Sequence, residues 1–160
     1  MARPGITAAA AIAANRFGLG ARRGELRAAA GDPRGWLLAQ LDGPPPRRVP
    51  EPARLLPSDE GLAAYARIAT RQAAGGDGPT LGQFTRSTYR DEATARTWAA
   101  IDSEASLLER LVWFWSNHFA VSAAKPVVAP IAGAFEREAI RPRVLGRFED
   151  LLLAAVRHPA

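Results

Sequence analysis

The chain has 160 residues, 48% of them hydrophobic, and no cysteine. That length fits one domain with a real core, and the missing thiols exclude disulfides and thiolate metal sites. The net charge of +5 is carried almost wholly by arginine, Lys125 being the single lysine. Many arginines have acids nearby in sequence, such as Arg22 and Arg23 with Glu25 and Arg147 with Glu149 and Asp150, a solvated-surface pattern that disfavours nucleic acid as a partner.

Helical signals begin at the N-terminus. Thr7 caps an alanine-rich helix reaching about Phe17, which Gly18 and Gly20 stop. Arg3 followed by Ile6 to Ala14 leaves a short export signal open. The run is mainly alanine and passes straight into Asn15-Arg16-Phe17, so a structural helix is preferred and the cytoplasm slightly favoured. Residues 24–30 give at most a short helical turn. Asp32-Pro33 is a strong start signal, Asp as N-cap and Pro at the first helical position. Trp36, Leu37 and Leu41 then share a face, and Gly43 ends the helix.

Pro44, Pro45, Pro46, Pro50, Pro52 and Pro57 forbid regular helix. Residues 43–57 read as a stiff surface linker rather than a Pro-rich partner motif. The organisation is therefore N-terminal helices over 1–42, the linker, and a helical core over 58–160, together one domain. Ser58 is expected to cap the next helix, whose Leu62, Tyr65, Ile68 and Ala69 recur at helical spacing to about Ala74. Gly75-Gly76-Asp77-Gly78-Pro79 breaks it, without the preceding strand or following lysine of a phosphate loop. A further helix spans about 85–101, and Asp102 or Ser103 restarts the chain.

The main helix is expected over about 104–118. Leu108, Leu111, Val112, Trp115 and Phe119 form its apolar stripe, and Leu107 and Phe114 widen it, as in a helix buried on more than one side. Trp113, Phe114, Trp115 and Phe119 crowd its end beside Asn117 and His118. This predicts a core seam with a polar end whose side chains need partners. The apolar run Pro126 to Ala139 is interrupted by Pro130 and Gly133, and Arg141-Pro142 is a break. The last helix, about 145–157, carries Phe148, Leu151, Leu152, Ala155 and Val156 on one side. Nothing alternates at period two for the length of a strand. The expected fold is all-α, an irregular bundle of about six helices around the helix of Trp113 and Trp115. No segment approaches the ~20 apolar residues of a membrane span. Only His158-Pro159-Ala160 follow the apolar Leu151 to Val156 and Arg157, so the bundle is expected to be incomplete at its C-terminus. Its first partner would then be the missing C-terminal region of its own chain.

Several blocks carry a family resemblance: Asn15-Arg16-Phe17-Gly18-Leu19-Gly20, Trp36-Leu37-Leu38-Ala39-Gln40-Leu41, Phe114-Trp115-Ser116-Asn117-His118-Phe119, Phe135-Glu136-Arg137-Glu138-Ala139-Ile140-Arg141-Pro142, Gly146-Arg147-Phe148 and Arg157-His158-Pro159-Ala160. In that order they resemble the start of the bacterial "domain of unknown function 1800" proteins. The Asn-His-Phe and Glu-Ala-Ile-Arg-Pro blocks are the most specific. The resemblance implies a protein several hundred residues long, of which this chain is roughly the first third. It also implies neighbourhood with a second bacterial protein family and, in some members, export signals. It implies no activity, cofactor or catalytic residue.

The candidate chemistry is sparse. His118 and His158 are the only histidines, and each closes an apolar helix, where helix-end capping is the preferred reading. The sharper alternative gathers Asn117, His118, Glu136, Glu138 and His158 into one polar cluster. Neither His-x-x-x-His nor His-Glu-x-x-His spacing occurs, so no metal and no cofactor are expected. Glu136, Arg137, Glu138 and Arg141 form a charged block in which Glu138 and Arg141 would pair at i, i+3. An ion-pair latch between helices is preferred there over anion binding by Arg141. Ser116 and Ser122 lack the glycine elbow of a serine nucleophile. The leading function is a helical scaffold or interaction module within a larger protein. The alternative is an enzyme of unknown reaction, hydrolysis being the class expected, whose site includes His118, Glu136 and Arg141. Arginine-mediated nucleic-acid binding is the weaker third.

Overall fold

The computed structural model describes residues 5–42 and 55–160. The expected linker lies outside them apart from residues 55–57, as does Arg3. The fold is all-α, and no strand occurs among the described residues. Thr7 opens α1 (Ala8–Ile12), its hydroxyl accepting the Ala10 amide at 3.1 Å. A π turn, Ala13–Phe17, follows and stops at Gly18. The glycine is required there by close approach, because a Cβ would lie 2.6 Å from Ser106 Oγ. After α2 (Glu25–Ala28), Asp32 caps α3 (Pro33–Leu38) through the Gly35 amide at 2.9 Å. Two side chains then tie this N-terminal layer to the rest. Gln40 Oε1 accepts the Leu107 amide at 2.9 Å, and Arg22 Nη1 donates to the Asp102 carbonyl at 3.0 Å. Each satisfies an orphan group at a helix end.

Helix α4 (Ser58–Ala73) and helix α5 (Leu81–Asp102) form the second layer. Thr80 and Gln83 make a full capping box at the start of α5, so the helix begins earlier than the polar middle of the sequence suggested. Helix α6 (Ser106–His118) runs through the centre. A composite element follows: a 3₁₀ turn at Ala129–Ile131, α7 (Ala132–Phe135), a π turn at Glu136–Ile140 and a 3₁₀ turn at Arg141–Arg143. Pro130 sits in the first turn of this element, and Gly133 continues it where a break was expected. Gly133 is small because α5 presses against it: a Cβ would meet Glu92 Oε2 at 2.2 Å. Helix α8 (Phe148–Arg157) closes the described chain.

The core lies where the large apolar residues concentrate. Leu108 and Val112 of α6 pack with Phe135, Ala139, Ile140, Val144 and Leu151. Full burial contributes about 1.5–3 kcal/mol per large side chain. Leu111, Trp115 and Phe119 pack half-buried against this cluster, so the expected stripe is present. Its expected widening differs: Leu107 is half-buried, but Phe114 and Trp113 are exposed. The aromatic stretch is a seam at the surface, with one side in the core and the other open. Phe119 and Phe148 stack at 6.1 Å, and Trp115 meets Phe148 at 5.7 Å.

Candidate functional site

A buried ion-pair lattice occupies the junction of α5, α6 and the composite element. Glu109 sits on the buried side of α6 one residue after Leu108 and is fully enclosed, at 0% exposure. Ser116, two turns later, lies on the same line of the helix. Arg141, 4% exposed, grips Glu109 in a two-pronged contact, Nη1 to Oε1 at 2.7 Å and Nη2 to Oε2 at 2.8 Å. Its Nε donates to Glu136 Oε1 at 3.0 Å. The other Glu136 oxygen lies 2.7 Å from Arg96 Nε and accepts the Ser116 hydroxyl at 3.2 Å. Burial alone would lower the Arg141 pKa. The hydrogen bonds to Glu109 and the charges of Glu136 and Glu109 outweigh it and raise that pKa, so the arginine stays charged.

The pairing partner differs from the expected one for a geometric reason. The π turn carries five residues from Glu136 to Ile140, so Glu136 and Arg141 at i, i+5 fall on the same side. Glu138 is turned away to a second cluster. Its Oε1 accepts the Ser58 amide at 2.9 Å, and its Oε2 accepts the Ser58 hydroxyl at 2.7 Å. His158 Nε2 lies 3.0 Å from the same Oε2, while its Nδ1 accepts the Ala160 amide at 3.2 Å. Ser58 therefore does not cap its own helix by its side chain. A carboxylate from another element sits at that N-terminus, where the helix dipole favours it. Burial tends to raise the Glu138 pKa, but the bonds from Ser58 and His158 win and hold it below the ordinary value. His158 thus engages Glu138 and Ala160 rather than the carbonyls of its own helix.

The structure brings Glu136 and Arg141 together, and separately Glu138 and His158. Asn117 and His118 join neither group. Both are exposed, and His118 makes edge-to-face ring contacts with Trp115 at 5.5 Å and Phe119 at 4.8 Å. Arg137 belonged to the charged block expected from the sequence, whereas Glu109, Glu92 and Arg96 were not among the candidate site residues. Glu109 could have been found as a lone acid beside the apolar stripe of α6. Glu92 and Arg96 lie at i, i+4 beside the buried alanines Ala95 and Ala99, a line of α5 that suits close packing.

Above the lattice opens a cleft of about 290 Å³ between α5, α6 and α7, with Tyr89, Trp113, Val121 and Phe135 among its apolar walls. Its polar lining is Glu92, Arg96, Thr97, Ser116, Glu136 and Arg137. Glu92 Oε2 pairs with Arg137 Nη1, and Arg137 Nη2 donates to the Leu56 carbonyl at 2.7 Å. Glu92 Oε1 is buried without a hydrogen-bond partner. Burial raises the Glu92 pKa against the opposing hydrogen bond and charge of Arg137. No group of three or more His, Cys, Asp or Glu side chains suited to a metal ion occurs among the described residues, and no helix there is long and apolar enough to cross a membrane.

No curated protein and no solved structure matches the chain. The family described as "Protein of unknown function (DUF1800)" matches residues 12–160, which include both polar clusters, the cleft and every core residue of α6 to α8, and the chain belongs to that family.

Proposed function

We propose that the chain is a helical interaction module, rigidified by its buried ion pairs and presenting α8 with the aromatic seam as a docking face for another apolar helix. The observation that carries this reading is the outer side of α8. Phe148, Leu152 and Val156 recur one turn apart, and all are exposed, Phe148 at 52% and Val156 at 68%. Phe148 is continuous through its ring contacts with Trp115 and Phe119, and Trp115 with Phe114 at 5.0 Å. A contiguous apolar patch of this kind marks an interaction surface. An i, i+4, i+8 row is the form that an apolar helix packs against.

The enzyme reading has less support in the geometry. It calls for His118 beside Glu136, whereas Glu136 is held by Arg141, Arg96 and Ser116, and His118 lies against Trp115 and Phe119. Nucleic-acid binding has less support still, since Arg22, Arg96, Arg137, Arg141 and Arg147 are each paired with a carboxylate. The test is binding of an environment-sensitive hydrophobic dye. The chain should enhance its fluorescence, and Leu152→Asp with Val156→Asp should abolish that while leaving the far-UV circular dichroism intact. Equal dye binding by the folded variant would remove the assignment.

A further inference from the structure

The cleft between α5, α6 and α7 is separate from the α8 face, and it extends beyond its charged part. Tyr89 and Ala123 line both this cleft and a second, more apolar groove of about 550 Å³ toward the start of α5. Gly82, Thr85, Tyr89, Ala93 and Arg96 recur at three- and four-residue spacing, so they form one line along α5. Opposite that line stand Ala120, Val121, Ala123, Ala124, Pro126 and Ala129. These side chains are too small to fill the space against α5, and a continuous trough is left between the two. From Leu81 to Arg96 it runs about 22 Å at the helical rise.

The polar groups of the trough differ in what they have left to offer a ligand. Glu92 and Glu136 are 5% and 7% exposed and paired with Arg137 and Arg141, and the one Glu92 oxygen without a partner is itself buried. Ser116 donates to Glu136, and Thr97 donates to the Ala93 carbonyl of its own helix at 2.8 Å. Arg96 is different. Its Nε is buried against Glu136, yet the side chain is 43% exposed, so the exposure belongs to its stem and terminal nitrogens. Those nitrogens make no hydrogen bond among the described residues. The guanidinium lies 4.9 Å from the Trp113 ring centre. An arginine held on an aromatic face keeps its in-plane fork of donors, which matches a carboxylate. The apolar arm adds a second exposed cation, Arg86, which has no ion pair among the described residues. An uncharged ligand leaves the Arg96 fork without an anionic partner, and a cationic one meets no accessible acid. We propose that the trough binds a long-chain monocarboxylate, its head on the terminal nitrogens of Arg96 and its alkyl chain laid past Tyr89 over Ala123 and Ala124. An alkyl chain suits the far arm better than an extended peptide. The walls there are alanine, Pro126 and a helix whose backbone is bonded internally, so they give peptide amides few partners.

Isothermal titration calorimetry of the intact chain tests this with laurate, hexanoate and dodecyltrimethylammonium, each below the concentration at which it forms micelles. The apolar face of α8 would take the tail of laurate and of the ammonium alike, so the ammonium is the control for that face. Laurate should bind saturably at one site, about tenfold more tightly than either of the others. Arg96→Gln should weaken laurate about tenfold and leave the ammonium unchanged. Ala93→Phe supplies a second route, because Ala93 lines the cleft, is exposed and enters no ion pair. It should block laurate with the thermal transition unchanged. Absence of saturable binding by laurate would overturn the proposal. So would equal affinity for dodecyltrimethylammonium, undiminished binding by a folded Ala93→Phe chain, or tighter binding of penta-alanine, which would give the trough to a peptide.

Discussion

Replacing Arg141 with methionine probes the lattice most sharply. Methionine keeps much of the unbranched stem, so packing loss is small, and the electrostatic effect dominates. The substitution removes the two-pronged contact to Glu109 at 2.7 and 2.8 Å and the bond to Glu136 at 3.0 Å. Glu136 retains Arg96 and Ser116, but Glu109 is left as an enclosed carboxylate with no partner. Breaking one side of a buried pair costs about 3–5 kcal/mol, a large fraction of the roughly 5–15 kcal/mol that holds a domain together. Removing both members should be gentler than the two single changes summed. Glu109→Leu with Arg141→Met leaves neither charge stranded at that contact, and the coupling should be about 2 kcal/mol. Urea denaturation at neutral pH of the wild type, both single variants and the double variant gives the cycle. A loss below about 1 kcal/mol for Arg141→Met, or single losses that add within about 0.5 kcal/mol, would refute the lattice as a cooperative lock.

Two further outcomes are expected. Trp115→Ala should cost about 2–3 kcal/mol by chemical denaturation, less than the 3–5 of a fully buried aromatic, because the ring is only half-buried; a loss below about 1 kcal/mol would place the seam outside the core. The Glu138 latch should be acid-sensitive. Its folded pKa is lowered, so its contribution is complete above the ordinary carboxylate range and is lost as pH falls through that lowered value. Glu92, raised by burial, runs the other way: its contribution is complete below the ordinary range and lost as pH rises through its folded pKa. The difference in urea midpoint between the wild type and Glu138→Gln should therefore shrink to nothing on acidification, and a pH-independent difference would contradict the latch.

The helices were legible because their signals are local. Thr7 and Asp32 cap the helices they precede, and the α6 stripe is spaced as a buried face requires. The site was legible only in part. That Glu136 and Arg141 belong to an ion-pair latch follows from charges set between apolar runs. Which acid Arg141 takes depends on a π turn, and a turn of five residues leaves no propensity signature in Glu-Arg-Glu-Ala-Ile. Ser58 looked like a cap because its own helix begins there, but the nearby carboxylate of Glu138 belongs to an element 80 residues away. Gly133 looked like a breaker because a sequence carries no sign that α5 will press against it. Phe114 shows the limit of periodicity: an aromatic beside an apolar stripe says that surface is to be covered, not by what.

Sedimentation velocity over a concentration series, comparing the chain with its Leu152→Asp, Val156→Asp variant, reads whether the outer row of α8 is the docking face we propose. The wild type should shift from monomer toward larger species as concentration rises, since an uncovered apolar row of this size finds a second copy, and the variant should stay monomeric throughout. A wild type that sediments as a monomer at every concentration, indistinguishable from the variant, would rule out the outer row of α8 as a docking face.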